Sequence, residues 1–415
     1  MGSAACHRRT TCRLCGGSRL SLVLELAPTP PANAFVSVQE LSRQQERFPL
    51  DLFFCEDCRH LQLLDVVDPR LLFENYVYVS GTSPVFVKHF EDYAEEIMHR
   101  FTPKEGGLAV DIGSNDGTLL SAFKKRGLKV QGIDPAKEIA KRASEAGIPT
   151  IAGFFTLALA KEIRAEIGPA AVVTANNVFA HIDDLKGVVD GVRELLSPEG
   201  VFVFEVSYLV DVFEKTLFDT IYHEHLAYHS VKPLIQFLAA NGLELIEALR
   251  VDSHGGSLRG VAQLKAGPRS IGRTVAEAVA IEEKLGLDKA ETFRAFAARI
   301  DGLKQELGDL LRKLKFEGKK IAAFGAPAKA TTLMYHFDIG SDLIDFIIDD
   351  SPLKQGLYSP GMHIPVLSSA AIAEKKPDYL VVLAWNFASS IIAKNAAFHQ
   401  AGGRFIIPLP TVEVV

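Results

Sequence analysis

Short apolar runs, each followed by a glycine-containing turn and then an amphipathic stretch, recur along most of the chain. LAVDIGSNDGTLLSAFKKRG (108–127) is the first full unit: a strand, a turn, then a helix with its apolar positions on one face. LKVQGIDPAKEIAKRASEAG (128–147) repeats the pattern, and a third strand begins near AAVVTANNV (170–178). VFVFEV (201–206) reads as a further buried strand. LELIEALRV and LRGVAQLKA read as a strand pair joined by DSHGGS. This order predicts an α/β doubly wound sheet closed by an antiparallel pair. Residues 274–316 turn helical and charged, which predicts a connector. GKKIAAFGAPAKATTLMYHF (318–337) then restarts strand, turn and helix, with further strands in LIDFIIDD, DYLVVLAW and RFIIPLP. The expected divisions are 1–70, 71–273, the connector 274–316, and a smaller α/β unit over 317–415.

At 415 residues the chain is too long for a single core, in keeping with these divisions. Its charge of −6 offers no basic field for nucleic acid or a membrane surface. No apolar run is long enough to span a bilayer. MGSAACHRRTTC lacks the apolar core of a signal peptide, so a cytoplasmic protein is expected.

All five cysteines fall in the first 58 residues. Cys12 and Cys15 form one C-x-x-C knuckle, and Cys55 and Cys58 form another. Two knuckles are the usual way to offer four thiolates tetrahedrally to Zn²⁺, and four thiolates leave no open position, so the site is expected to be structural. A redox pair is the rival reading. The 39 residues between the knuckles exceed common zinc-ribbon spacing and leave room for a loop such as LAPTPPANAF. Cys6 is left over and expected to be free.

The turn after the first core strand carries Asp111, Gly113 and Ser114, and it is not a G-x-G-x-x-G dinucleotide fingerprint. D-I-G-S-x-D-G is instead the signature of class I S-adenosylmethionine-dependent methyltransferases. Gly113 lets the backbone approach a ligand, beside the free N–H groups of a helix start. Asp134 ends the second strand, where a carboxylate can accept both ribose hydroxyls. Phe154 and Phe155 are candidates to flank the adenine, and Asn176 and Asn177 end the next strand on the cofactor side. A nicotinamide dinucleotide site is the competing interpretation.

YHEHLAYHS (222–230) holds three histidines. A zinc-protease helix needs H-E-x-x-H, but the fifth position from His223 is Ala227. His225 and His229, four apart, would share a helix face, with no third ligand evident. Tyr222, Glu224 and His225 fit proton transfer better: an imidazole base, a carboxylate to orient it and a phenol to stabilise an oxyanion. The segment is expected in a loop over the cofactor edge of the sheet, with His223 and His229 free of chemical duty. Such a base matters when the methyl acceptor is a carbon that must first lose a proton.

The two knuckles, YVYVSGTS (76–83), VDIGSNDG, YHEH, HGGSLR (254–259), FGAPAKA (324–330) and AWNF (384–387) together resemble the nucleotide-sugar C-methyltransferases that build branched deoxysugars, over nearly the whole chain. The resemblance implies an N-terminal zinc-binding module, a class I methyltransferase core and a C-terminal Rossmann-like domain. It implies methylation of C-3′ in a dTDP-linked 4-keto-6-deoxyhexose, in some members carrying a 3-amino group. His225 would take the proton, Glu224 would tune it, and Tyr222 and Tyr76 would flank the sugar. Ser83 would join the cofactor set, and Tyr78, Arg259, Lys329, Trp385 and Asn386 would hold the substrate. A monomer is expected. An O- or N-methyltransferase, a zinc-ribbon binding protein and, ranked last, a dehydrogenase remain as rival readings.

Overall fold

A computed structural model describes residues 5–74, 81, 83–253 and 255–415. Tyr76 and Tyr78 lie outside the described residues.

The N-terminal module is a small antiparallel sheet built from β1 (Leu20–Leu24), β2 (Leu52–Cys55) and β3 (Leu61–Leu63). Both faces of β2 are buried, because Phe54 packs on Phe293 while the cysteines close the far end. The core begins with helix α1 (Pro84–Phe101), then β4 (Leu108–Ile112), α2 (Thr118–Lys125), β5 (Lys129–Asp134) and β6 (Thr150–Ala152). β7 (Ala170–Asn176) and β8 (Leu196–Ser207) follow. After the two-residue strand β9 (Ala227–Tyr228) come β10 (Leu243–Val251) and β11 (Ser257–Leu264).

The core sheet has the order β10-β11-β8-β7-β4-β5-β6. β11 runs antiparallel to both β8 and β10, while β8, β7, β4, β5 and β6 pair in parallel. This is the doubly wound sheet with the antiparallel closing pair that the pattern predicts. Parallel strands covered on both faces are largely apolar, as the fully buried LAVDI of β4 is apart from Asp111 near its carboxyl end. Tyr93, Ile97 and Phe101 of α1, with Leu119, Leu120 and Phe123 of α2, cover one face of the sheet.

Helix α3 (Ala290–Phe316) is about 40 Å long at 1.5 Å per residue. Phe293, Phe296, Ile300, Leu303, Leu307, Leu311 and Leu314 recur along it at helical spacing and are buried. They join the N-terminal module, the core and the C-terminal unit in one continuous apolar cluster. The C-terminal unit follows with β12 (Ile321–Phe324) and α4 (Ala328–Phe337), on a six-stranded sheet parallel except at its last strand. Among the described residues no helix is long and apolar enough to cross a membrane.

β9, at the centre of YHEHLAYHS, does not join the core sheet. It pairs with β3, so the N-terminal sheet has the order β9-β3-β2-β1. The segment is therefore a turn and a short strand rather than a helix, and His225 and His229 share no helix face. It also does not follow β8 directly, because a helix (Leu209–Glu214) and a 3₁₀ turn (Phe218–Thr220) intervene.

Candidate active site

The four knuckle cysteines converge with all their sulfurs within 4.8 Å of one another. Cys12 Sγ lies 3.6 Å from Cys58 Sγ, and Cys15 Sγ lies 3.6 Å from Cys55 Sγ. Tetrahedral Zn–S bonds of about 2.3 Å require sulfurs about 3.8 Å apart, so this set fits zinc. The Cys58 thiol hydrogen bond pulls Cys12 down to about 5, while burial pushes Cys55 up and the bond to Cys12 pushes Cys58 up. Cys6 stands outside the cluster.

The turn between β4 and α2 sets the cofactor edge. Gly113 has φ +71°, and a Cβ there would overlap Val178. Only glycine meets both conditions. Asp134, at the end of β5, accepts from the backbone N–H of Asn115 and Ala136, each at 2.8 Å. Those bonds fix the carboxylate and leave acceptor capacity for a diol. Asp111 is buried and pushed up to about 7 by desolvation, against a 2.6 Å bond from Thr174. Ser114 Oγ and both amide atoms of Asn176 are buried without a hydrogen-bond partner, although Asn176 lies beside the Tyr93 phenol. Orphaned polar atoms at the carboxyl end of β4 and β7 fit a polar ligand such as the methyl donor. Asn177 has φ 55°, and its N–H donates to Glu205 O. Phe154 is 41% exposed beside this edge, whereas Phe155 is core under Gly191. Ser83 caps the start of α1, where its carbonyl accepts from Val87 N–H.

The proton-transfer candidates gather on the turn before β9. The Tyr222 and His225 rings lie 4.2 Å apart, centroid to centroid, and both are partly exposed. Glu224 is buried. His225 Nδ1 lies 2.7 Å from Thr220 O. A carbonyl only accepts, so Nδ1 carries a proton, and in the neutral ring Nε2 is the basic nitrogen. His181, which the sequence reading missed, packs 4.9 Å from His225 and stacks on Phe73. Burial holds its pKa well below the ordinary value, so it stays neutral beside His225. Its position four residues beyond Asn177 was the available signal. His223 lends a ring nitrogen to Phe48 O at 3.1 Å, and His229 is buried against Phe179 and His60.

The C-terminal unit reaches the same turn. Lys329 Nζ sits 4.1 Å over the Trp385 ring and 3.5 Å from Asp219, while Trp385 Nε1 donates to Asp219 Oδ2 at 2.7 Å. Lys329 is therefore no solvated surface lysine. Burial lowers its pKa, and Asp219 works against that. Asp219 immediately precedes Thr220, whose carbonyl meets His225 Nδ1. Asn386 is exposed beside Trp385.

Arg259 behaves differently from the expectation of a substrate cation. It is 5% exposed, bound to Glu205 at 2.5 Å and Glu96 at 2.6 Å, and stacked on Tyr93. Glu205 also meets His89 at 2.9 Å. Burial works to raise the Glu205 pKa, but His89 and Arg259 together hold it low. Arg259 neutralises this buried carboxylate and ties β11 and β8 to α1. It sits away from Lys329, on the face of the sheet that α1 covers.

Comparison with known proteins matches this organisation. A C-methyltransferase C-terminal domain model matches residues 252–410, a zinc binding domain model residues 12–73, and a methyltransferase domain model residues 86–248. C-methyltransferase NovU from Streptomyces niveus is 35% identical over 404 residues, covering 97% of this chain and 96% of NovU. The ubiquinone biosynthesis O-methyltransferase of Paracidovorax citrulli is 32% identical over 108 residues, 25% of this chain and 44% of that protein. Among solved structures, the PH0226 protein from Pyrococcus horikoshii OT3 superposes with a TM-score of 0.37 at 16% identity, over 45% of this chain and 95% of that one. The match to NovU leaves almost no part of either sequence unaligned, and the chain belongs to the S-adenosylmethionine-dependent C-methyltransferase family.

Proposed function

We propose that the chain methylates C-3′ of a dTDP-linked 4-keto-6-deoxyhexose, with or without a 3-amino group. The observation that carries this reading is the 2.7 Å hydrogen bond from His225 Nδ1 to Thr220 O. In the neutral ring it leaves Nε2 as the basic nitrogen, and a base is something an amine or thiolate acceptor would not need and a carbon acceptor does. When bound, S-adenosylmethionine supplies an electrophilic methyl group.

His225 Nε2 removes the proton at C-3′, which the neighbouring 4-ketone acidifies. The electron pair left behind delocalises onto the ketone oxygen. The Tyr222 phenol, packed on the His225 ring, donates to that oxygen as its charge grows. Glu224 orients the imidazole and favours its cationic form once it holds the proton. Asp134, Asn176 and Ser114 hold the donor at the sheet edge, and the buried neutral His181 keeps a second positive charge away from the base. Lys329 and Trp385, with Asn386 at the rim, are suited to the diphosphate and nucleoside, which supports a nucleotide-linked substrate. Tyr76 and Tyr78, outside the described residues, keep the roles that the resemblance implies, Tyr76 flanking the sugar and Tyr78 helping to hold the substrate.

The test is incubation with methyl donor and a panel of dTDP-4-keto sugars, read by mass and NMR. The expected product gains one methylene unit at C-3′. Without methyl donor, deuterium from solvent should enter C-3′ of the accepted sugar. No product from any sugar overturns the reading, and methylation on oxygen or nitrogen replaces it with the O- or N-transfer alternative.

A further inference from the structure

Loop 27–48 of the N-terminal module reaches across the molecule and touches the proton-transfer segment twice. Asn33 Nδ2 donates to Glu224 Oε1 at 3.0 Å, and Phe48 O meets the ring nitrogen of His223 at 3.1 Å. Phe48 also packs edge-on against the His223 ring at 5.7 Å. Adjacent residues of the segment are thus fastened to one loop.

That loop is itself fixed. Thr29 and Phe48 exchange both backbone hydrogen bonds, at 3.1 and 2.8 Å, closing its base. Thr331 of α4 donates to Ala32 O at 3.1 Å, and Gln45 donates to Ala34 O at 2.8 Å. The residues on either side of Asn33 are therefore held, one by the C-terminal unit and one by the loop's own return strand. Val36 forms a bridge with Tyr358, a second anchor on the C-terminal unit. An amide mounted this way loses little freedom on donating to a carboxylate.

We infer that Asn33 is a positioning residue for methyl transfer, by which the N-terminal module fixes the Glu224 carboxylate on the turn that carries His225. The inference rests on the acid–base reading of Glu224 and His225. Glu224 is 4% exposed, and a buried carboxylate is held ionised by the donors around it. An ionised carboxylate only accepts, so the amide nitrogen faces it, as the structure has it. The long insertion between the cysteine knuckles gains a purpose: it carries a donor from the zinc module to the reaction site.

The experiment uses the full-length, zinc-loaded protein with the dTDP-4-keto sugar it accepts. Asn33→Ala should lower kcat about ten- to a hundredfold, the effect of losing one hydrogen bond to a charged group, with KM and melting temperature little changed. Asn33→Asp is the discriminating variant because it keeps the shape and removes the donor. Two facing carboxylates cannot both ionise cheaply, so its activity should recover towards acidic pH, where one carboxyl holds a proton and donates again. Asn33→Ala has no such group and should not recover. Wild-type kcat in Asn33→Ala, or superimposable pH profiles for the two variants, overturns the inference. Glu224→Gln and His225→Asn run alongside: if both keep wild-type turnover, the acid–base reading itself fails. If both lose turnover while Asn33→Ala does not, only the role of Asn33 falls.

Discussion

Arg13, set between two knuckle cysteines, donates from Nη1 to Leu226 O, one residue beyond His225, at 2.6 Å. The same guanidinium reaches Leu63 O at 2.8 Å and Asp183 at 3.4 Å, and it is 5% exposed. With the pairing of β9 on β3, it makes the cysteine cluster and the proposed base parts of one rigid body.

Metal removal should therefore abolish turnover although no zinc ligand is near the chemistry. A zinc site of four thiolates folds its module outright, so chelation should also release β9 and the turn before it. The expected result is loss of methyl transfer with a lowered melting temperature, while S-adenosylhomocysteine still binds in calorimetry. Metal analysis must confirm that the zinc is gone. Full activity in demonstrably metal-free protein would contradict the coupling.

His225→Asn should cut turnover by at least about a hundredfold, the usual contribution of a general base. Cofactor binding should be unchanged, since the side-chain bond that fixes the start of the β4–α2 turn comes from Asp134. A rate near wild type would point to an acceptor atom that is already nucleophilic.

Asp219 and Lys329 are buried partners, so their two deletions should differ. Asp219→Ala leaves Lys329 charged and uncompensated and should destabilise by about 3–5 kcal/mol. Lys329→Met should cost the fold far less, because Asp219 keeps the Trp385 indole donor and is already pushed towards its neutral form by burial. It should instead raise KM for the nucleotide sugar. Thermal melts and steady-state kinetics on the two variants separate the effects, and equal losses of stability would argue against the pairing.

Three histidines make the fold acid-labile. Burial lowers His223, His229 and His336 from 6.5 to about 4. The unfolded chain binds more protons between those values, so stability is complete above about pH 6.5 and falls as pH drops towards 4. Each contributes on the order of 1–3 kcal/mol across that window. His336→Phe, in a pocket lined by Phe218 and Phe337, should flatten the dependence of melting temperature on pH. An unchanged slope would remove His336 from the account.

Gly113→Ala should lose cofactor binding as well as stability. A left-handed alanine is strained, and its methyl group would displace Val178 from the turn. Titration with S-adenosylhomocysteine reads the first effect and thermal melting the second. Normal binding would show that the turn has room to adjust.

Most of the core was legible because its signals are local. A fully buried parallel strand is an unbroken apolar run, and the D-I-G-S turn, the strand-end Asp134 and the Asn176–Asn177 pair all lie within a few residues of the strand that places them. The knuckles were legible for the same reason, since C-x-x-C spacing carries its geometry with it. Arg259 misled because sequence shows a cation without its partner: Glu205 lies 54 residues away, and β8 meets β11 only in the sheet. His181 carries only a weak local mark, its place four residues beyond Asn177, and its packing on His225 comes from the fold.

The sequence by itself determined the strand and helix order and the four cysteines that converge, each written in residue type and short spacing, and it singled out Tyr222, Glu224 and His225 as candidates. Only the tertiary structure decided what surrounds that triplet. Thr220 O fixes the tautomer of His225, Asn33 arrives from 191 residues upstream, and Asp219 meets Lys329 and Trp385 of another unit. Such contacts follow from how the apolar faces of separate units pack on α3. Periodicity along the chain says which face is buried, but not which distant loop that burial brings beside it.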